Sequence, residues 1–131
     1  MKHLLHKLLG DKGERAACRF LKKLGYRIVA RQYRNQFGEI DIIALDGECV
    51  VFVEVKTRSS TSAGQPFEAV TLQKQQKLTR LAISWLKKHR RMNNSARFDV
   101  ISILWPEDHS EPDIQHFTNA FEATGSGQFF S

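Results

Sequence analysis

Asp41, Glu54 and Lys56 interrupt two β-branched runs within EIDIIALDGECVVFVEVKTR, the stretch Glu39–Arg58. The dipeptide Asp46-Gly47 separates the runs and favours a two-residue type I′ hairpin, whose central residues both need positive φ. With that loop Leu45 pairs with Glu48, and Asp41 lies opposite Phe52 and diagonal to Glu54. Cross-strand partners share a face and faces alternate along a strand, so Glu39, Asp41, Glu54 and Lys56 are expected on one side of the sheet. Diagonal neighbours stand about 7–8 Å apart at the backbone, close enough for both carboxylates to converge on one ion. A slip of one residue would send one set to the opposite face.

An unpaired charge among Ile, Val and Phe is expensive. Two carboxylates close together need a cation to offset them, and an oxygen-only ligand set suits magnesium or manganese. Magnesium held there lowers the pKa of its bound water and neutralises a phosphate oxygen. Lys56 is placed to orient or help deprotonate that water, or to stabilise charge in a phosphorane-like transition state. That is phosphodiester hydrolysis. Spacing alone is equally met by an ordinary ion pair between Glu54 and Lys56 on a solvated sheet face, with Asp41 in the same network.

The elements that must position these residues are legible. Asp11–Leu24 has Ala16, Ala17, Phe20, Leu21 and Leu24 at helical spacing, with Gly25 as a stop. Asp11 and Glu14 have the spacing of a capping box, which gives Glu14 a local role. Tyr26–Arg34 predicts a strand and Asn35–Gly38 a turn. Ser59–Gly64 predicts a loop, and Thr71–His89 a helix with Thr71 as N-cap and an apolar face of Leu78, Leu81, Ala82, Trp85 and Leu86. Arg97–Trp105 predicts another strand, Pro106–Pro112 a loop, and Ile114–Thr118 a short last strand. The order α-β-β-β-α-β-β implies one mixed sheet carrying helices, an α/β or α+β fold. Residues 1–10 read as an N-terminal extension, 11–121 as the domain and 122–131 as a tail.

The chain has 131 residues, 41% of them apolar, enough for one core without disulfides. Its apolar runs are too short to span a membrane, and Met1–Gly10 has no secretory h-region. Cys18 and Cys49 form no CxxC pair and read as reduced, buried thiols of a cytoplasmic protein. Five scattered histidines offer no zinc pattern. All 20 Lys and Arg lie at or before Arg97, whereas the remainder carries six acids and no Lys or Arg. So basic a body favours a polyanionic partner, nucleic acid before membrane. Lys74, Lys77, Arg80, Lys87, Lys88, Arg90 and Arg91 would hold a phosphate backbone without reading sequence, and Arg58 is a candidate phosphate contact. Asp99, inside a strand, reads as structural and paired to an arginine, and Trp85 as core.

At these residues the sequence resembles the YraN-like family, a branch of the PD-(D/E)xK nuclease superfamily similar in pattern to archaeal Holliday-junction resolvases. The matching segments are Gly13–Ala17, Gly38–Ile43, Val51–Arg58, Pro66–Val70, Lys74-Gln75, Arg97–Val100 and Ala120-Phe121. Ile40 stands where the superfamily's name puts proline, as is usual for this branch, and Gln32 where many relatives carry asparagine. The resemblance implies a restriction-endonuclease-like fold with an αβββαβ core. It implies a magnesium site of Glu14, Asp41, Glu54 and the carbonyl of Val55, with Asp41, Glu54 and Lys56 catalytic. It also implies DNA as substrate, branched structures included, and a polar residue of the second helix, Lys74 or Gln75, near the site. A homodimer is a further implication, with exposed parts of the last strand or the Leu4–Leu9 turn as candidate faces. A binding module that keeps this fold and basic surface but does no chemistry, an adaptor in repair or recombination, is the alternative.

Overall fold

A computed structural model describes residues 2–59, 70–106 and 111–124. Most of the Ser59–Gly64 loop, most of the Pro66–Val70 segment, part of the Pro106–Pro112 loop and the end of the chain from 125 lie outside the described residues.

The first helix, α1 (Lys2–Lys23), starts well before Asp11. Asp11 and Glu14 are therefore interior, so the expected capping box does not exist, and residues 2–10 continue the same helix. The Leu4–Leu9 segment is thus helical, with Leu4 and Leu8 exposed. Its end matches the expectation. Tyr26 N–H donates to Leu21 O and Gly25 N–H to Lys22 O, a Schellman closure around Gly25. Ala16, Ala17 and Leu21 are buried, but Leu24 is 51% exposed because the chain has already left the helix there.

Five strands follow the order β1 (Arg27–Asn35), β2 (Gly38–Asp46), β3 (Cys49–Arg58), β4 (Ala96–Leu104) and β5 (Asp113–Phe121), and lie side by side in that order. All neighbours are antiparallel except β3 and β4, which are parallel. The second helix, α2 (Leu72–Lys88), makes that crossover, and the Thr71 hydroxyl accepts from Lys74 N–H as its N-cap. A parallel pair covered on both faces needs apolar residues at successive positions. Val50, Val51, Phe52 and Val53 supply them.

Each helix covers one face. On the α1 side Ala16, Ala17, Cys18 and Leu21 pack with Ile42, Ala44, Val51, Val53, Ile101 and Ile103. On the other, Leu78, Leu81, Ala82, Trp85 and Leu86 of α2 pack on Ile43, Leu45, Phe52, Phe98 and Val100. Trp85 meets Phe52 edge-on at 5.9 Å between ring centroids, a core role as expected. Cys18 is buried, while Cys49 at the start of β3 is only partly so; neither is in a disulfide.

β5 is longer than its alternation predicted, and fully buried Asp99 ties it down. Asp99 accepts from Arg97 Nε at 3.0 Å and from Asn119 N–H at 2.9 Å, and its Oδ2 lies 2.8 Å from His116 Nε2. Burial alone would raise its pKa, but the bonds from His116, Arg97 and Asn119 outweigh it and hold the carboxyl low. The expected structural role for Asp99 is what the contacts describe.

The hairpin differs in register from the expectation. Asp46 pairs with Cys49, so the loop is Gly47-Glu48, with positive φ at Gly47 alone, the φ pattern of a II′ turn. The shift is two residues, which preserves side-chain parity but moves every cross-strand partner.

Gly13 sets how closely α1 lies on the sheet. A Cβ at this position would overlap the Thr57 side chain, whereas one at Gly10 meets nothing within 4 Å. Glycine to alanine inside a helix ordinarily stabilises by about 0.5–1 kcal/mol. Gly10→Ala should follow that rule, while Gly13→Ala should lose ~1–3 kcal/mol by overpacking. Urea unfolding of the two variants should show midpoints moving in opposite directions.

Candidate active site at the fork between the central strands

β2 and β3 are hydrogen-bonded only as far as Ile42↔Val53. Beyond that pair β2 stays with β1 to Asn35↔Gly38, and β3 stays with β4 to Arg58↔Leu104. The sheet therefore forks, and Asp41 and Glu54 are the first residues past the last pair. The parting leaves the Val55 N–H without a strand partner in β2. Asp41 supplies one: its Oδ2 accepts from Val55 N–H at 2.7 Å. Face alternation also breaks here, because Ile40 and Ile43 both pack on the α2 side. Glu39, Asp41, Glu54 and Lys56 consequently do not form one flat row. Glu54 meets α2, and Asp41 sits in the gap between strands.

Glu54 is 7% exposed, and Lys74 Nζ of α2 stands 3.0 Å from its Oε2, an ion pair lacking the angles of a hydrogen bond. Burial, then a hydrogen bond and repulsion from Glu54, push the Asp41 carboxyl up to about 8; the Val55 N–H opposes this and Glu14 adds to it. A further cation beside Asp41 would oppose that rise and favour its ionised form. Burial and then the neighbouring Lys74 charge depress Lys56, and the pull of Glu54 and Asp41 does not restore it. For Lys74 burial is the largest single influence and acts downward, but Glu54, Lys56 and Asp41 together carry it above the ordinary lysine value.

Glu14 reaches the fork from α1 and is 5% exposed. Arg31 Nε donates to its Oε1 at 3.2 Å and Gln32 Nε2 to its Oε2 at 3.0 Å. Gln32 holds a left-handed backbone at φ 50°, a conformation short Asn or Asp side chains adopt more readily. Strain of this kind concentrates at functional sites. Glu14, Gln32, Glu39, Asp41, Val55 and Thr57 line a cavity of about 290 Å³ on the α1 side.

The expected site residues thus divide. Glu14, Asp41 and Val55 share the α1-side cavity, and Glu54, Lys56 and Lys74 form the charged cluster toward α2. Val55 contributes its N–H to Asp41. Gln75 is not part of the cluster, since its Nε2 donates to Val70 O at 3.1 Å. Lys77 is exposed one turn beyond Lys74, and Arg58 lies at the end of β3, its carbonyl accepting from Trp105 N–H at 2.8 Å. No local pattern marks Arg31 and Gln32 as site residues, because nothing local links β1 to Glu14, 17 and 18 positions away. Among the described residues no three of His, Cys, Asp and Glu gather as a ready-made metal cage. Carboxylate oxygens of the kind a hard cation takes are offered at the fork by Asp41 and Glu54, and by Glu14 from the cavity wall.

The raised Asp41 pKa makes a signed prediction. A carboxyl whose folded pKa exceeds its unfolded value stabilises fully below about pH 4, and that contribution is lost as pH rises toward 8. Asp41→Asn can still accept from Val55 N–H but cannot ionise. Its stability relative to wild type should therefore climb between pH 4 and 8, by about 1.4 kcal/mol for each unit of real shift. Thermal melts of both proteins across that range give the measurement; parallel curves would mean Asp41 titrates normally.

Residues 13–103 match the family described as Uncharacterised protein family UPF0102. A UPF0102 protein of Geotalea daltonii is 49% identical over 117 residues, covering 89% of this chain and 91% of that one. One from Geobacter metallireducens is 48% identical over 119 residues, covering 91% and 96%. One from Rhodococcus opacus is 42% identical over 113 residues, covering 86% and 95%. A solved structure titled "Crystal structure of SSO0001" aligns with 97% of this chain and 58% of that chain, at 14% identity and a TM-score of 0.39, a likeness on which no fold assignment rests. With the match running from the glycine that seats α1 through the fork to β4, the chain belongs to the UPF0102 family.

Proposed function

We propose that this chain is a magnesium- or manganese-dependent nuclease of restriction-endonuclease-like fold, hydrolysing phosphodiesters in DNA, branched or flapped structures included, in the cytoplasm. The observation that carries the reading is the meeting of Asp41 and Glu54 where the central strands part, with Lys56 beside them at a depressed pKa. The motif resemblance and the α-β-β-β-α-β core order support it. The free thiols support the compartment.

Asp41 and Glu54 would hold the ion, with Glu14 on the adjoining wall. A bound ion would neutralise a phosphate oxygen and acidify a coordinated water. The Val55 N–H fixes the Asp41 carboxylate, so the pair needs little reorganisation on binding. Lys56, half-buried and easier to deprotonate than an ordinary lysine, can take the proton of the attacking water. Lys74 can turn from Glu54 toward a phosphate oxygen once a cation offsets that acid. Exposed Lys77, Arg80, Lys87 and Lys88 on α2 would track the backbone electrostatically.

A second reading has its own observation. Lys74 already pairs with Glu54 and Arg31 with Glu14, so these acids are neutralised by the chain's own cations. A nucleic-acid recognition module without chemistry would need no more.

Cleavage of labelled linear, flap, splayed-arm and four-way DNAs, with magnesium and with manganese, separates the two. The nuclease reading expects Asp41→Ala and Lys56→Ala to lose about a hundredfold or more in rate while keeping most of their binding. It also expects the rate to rise with pH through a limb below the usual lysine range, a limb absent in Lys56→Ala. Wild-type protein that binds with a steep salt dependence, indifferent to metal, and cuts nothing would establish the recognition module instead.

A further inference from the structure

Beside the fork lies a half-open groove of about 350 Å³, bounded by Phe37 of the β1–β2 turn, Gly38 at the start of β2, the N-cap Thr71, and Lys74, Lys77 and Leu78 of α2. That volume falls at the lower end of small-ligand sites, which run ~300–1,000 Å³. Its walls are of two kinds. Phe37 rests partly buried on the α2-side core, and Leu78 with Leu81 closes the floor. Asn35 Oδ1 accepts from Phe37 N–H at 2.8 Å, which fixes the turn carrying the ring. Lys74 and Lys77, three residues apart on one helix face, supply two ammonium groups. Glu39 also lines the groove, and its charge is met by Arg34 Nη2 at 2.9 Å.

An aromatic and aliphatic slot edged by two cations suits a ligand with a flat apolar body and an anionic attachment, which describes a nucleotide. Lys74 belongs to both places: it edges the groove and stands 3.0 Å from Glu54. A base seated here would leave its phosphate next to the carboxylate pair. A base inside a duplex is stacked and paired and offers no such face, whereas an unpaired one does. We propose that this groove receives an unpaired base of the strand adjoining the bond to be cut, so that the substrate class is DNA single-stranded at that point. The proposal rests on the nucleic-acid reading above and narrows it.

The test uses the wild-type chain in EDTA, where binding is separate from cleavage, with fluorescent single-stranded and blunt duplex DNA of equal length. Single strand should bind at least about tenfold tighter. Base–aromatic stacking is worth ~1–3 kcal/mol per base, so Phe37→Leu should weaken the single strand about fivefold or more and the duplex little, while Phe37→Tyr keeps the preference. Lys77→Ala, on the exposed helix face, should also weaken the single strand. In the unmodified protein, 2-aminopurine moved along the strand should change emission at one position. Equal affinity for both DNAs, Phe37→Leu acting on both alike, or uniform 2-aminopurine emission would overturn the groove assignment. Single-strand preference with no cleavage in magnesium or manganese would leave the groove standing and sink the nuclease reading. Cleavage of blunt duplex and single strand alike, without a Phe37 effect, would do the reverse.

Discussion

The parting of β2 and β3 after Ile42–Val53 is the constraint on which the candidate site depends. While two strands remain paired, their backbone groups satisfy one another and their side chains point up or down. Once they separate, a buried N–H must find another partner. Asp41 meets that need at Val55, and in doing so its carboxylate is drawn into the gap and pressed against Glu54. A backbone requirement thereby brings two acids together that solvent would keep apart.

The surrounding sheet sustains this arrangement because each half of the fork has another neighbour. β2 remains on β1, and β3 remains on β4 through a parallel ladder that runs on to Arg58↔Leu104. Neither limb is a loose end. The helices then bring opposite kinds of residue to the opening. α1 delivers Glu14, seated by the close approach at Gly13, and α2 delivers Lys74 from its capped first turns. Carboxylates and lysines alternate across a small, partly dry space, where each charge shifts its neighbours.

On the neighbouring strand, paired with Val53 at the base of the fork, Asp99 plays the opposite part. It is fully buried yet held ionised, because Arg97, His116 and the Asn119 N–H surround it with donors. Asp41 is mostly buried too, but its one hydrogen-bond donor, the Val55 N–H, does not offset burial and the acids Glu54 and Glu14, and its pKa is pushed up instead. Like residue types with opposite surroundings thus carry opposite shifts, one a structural tie and the other a strained pair in the candidate site.

Periodicity was enough to place α2 from its Thr71 cap, the Schellman end of α1, the order of all seven elements and the burial of Trp85. These follow from contacts between residues near in sequence, which a linear pattern records. The parity of the hairpin was legible as well, since a two-residue shift leaves it unchanged. The register was not: Asp46-Gly47 is the better local turn, but Arg97, 51 residues on, donates to Asp46 Oδ2 at 3.1 Å, and Asp46 stays in the strand. Asp11 and Glu14 have the spacing of a capping box, but the helix already runs from Lys2, so that local pattern marks no helix start. Thr57 shows why glycine stands at 13. The pairing of Glu54 with Lys74 and of Glu14 with Arg31 and Gln32 joins elements that meet only after the sheet has closed. Residue types and their alternation therefore announce which acids and lysines are available, while long-range packing sets which of them share a charge.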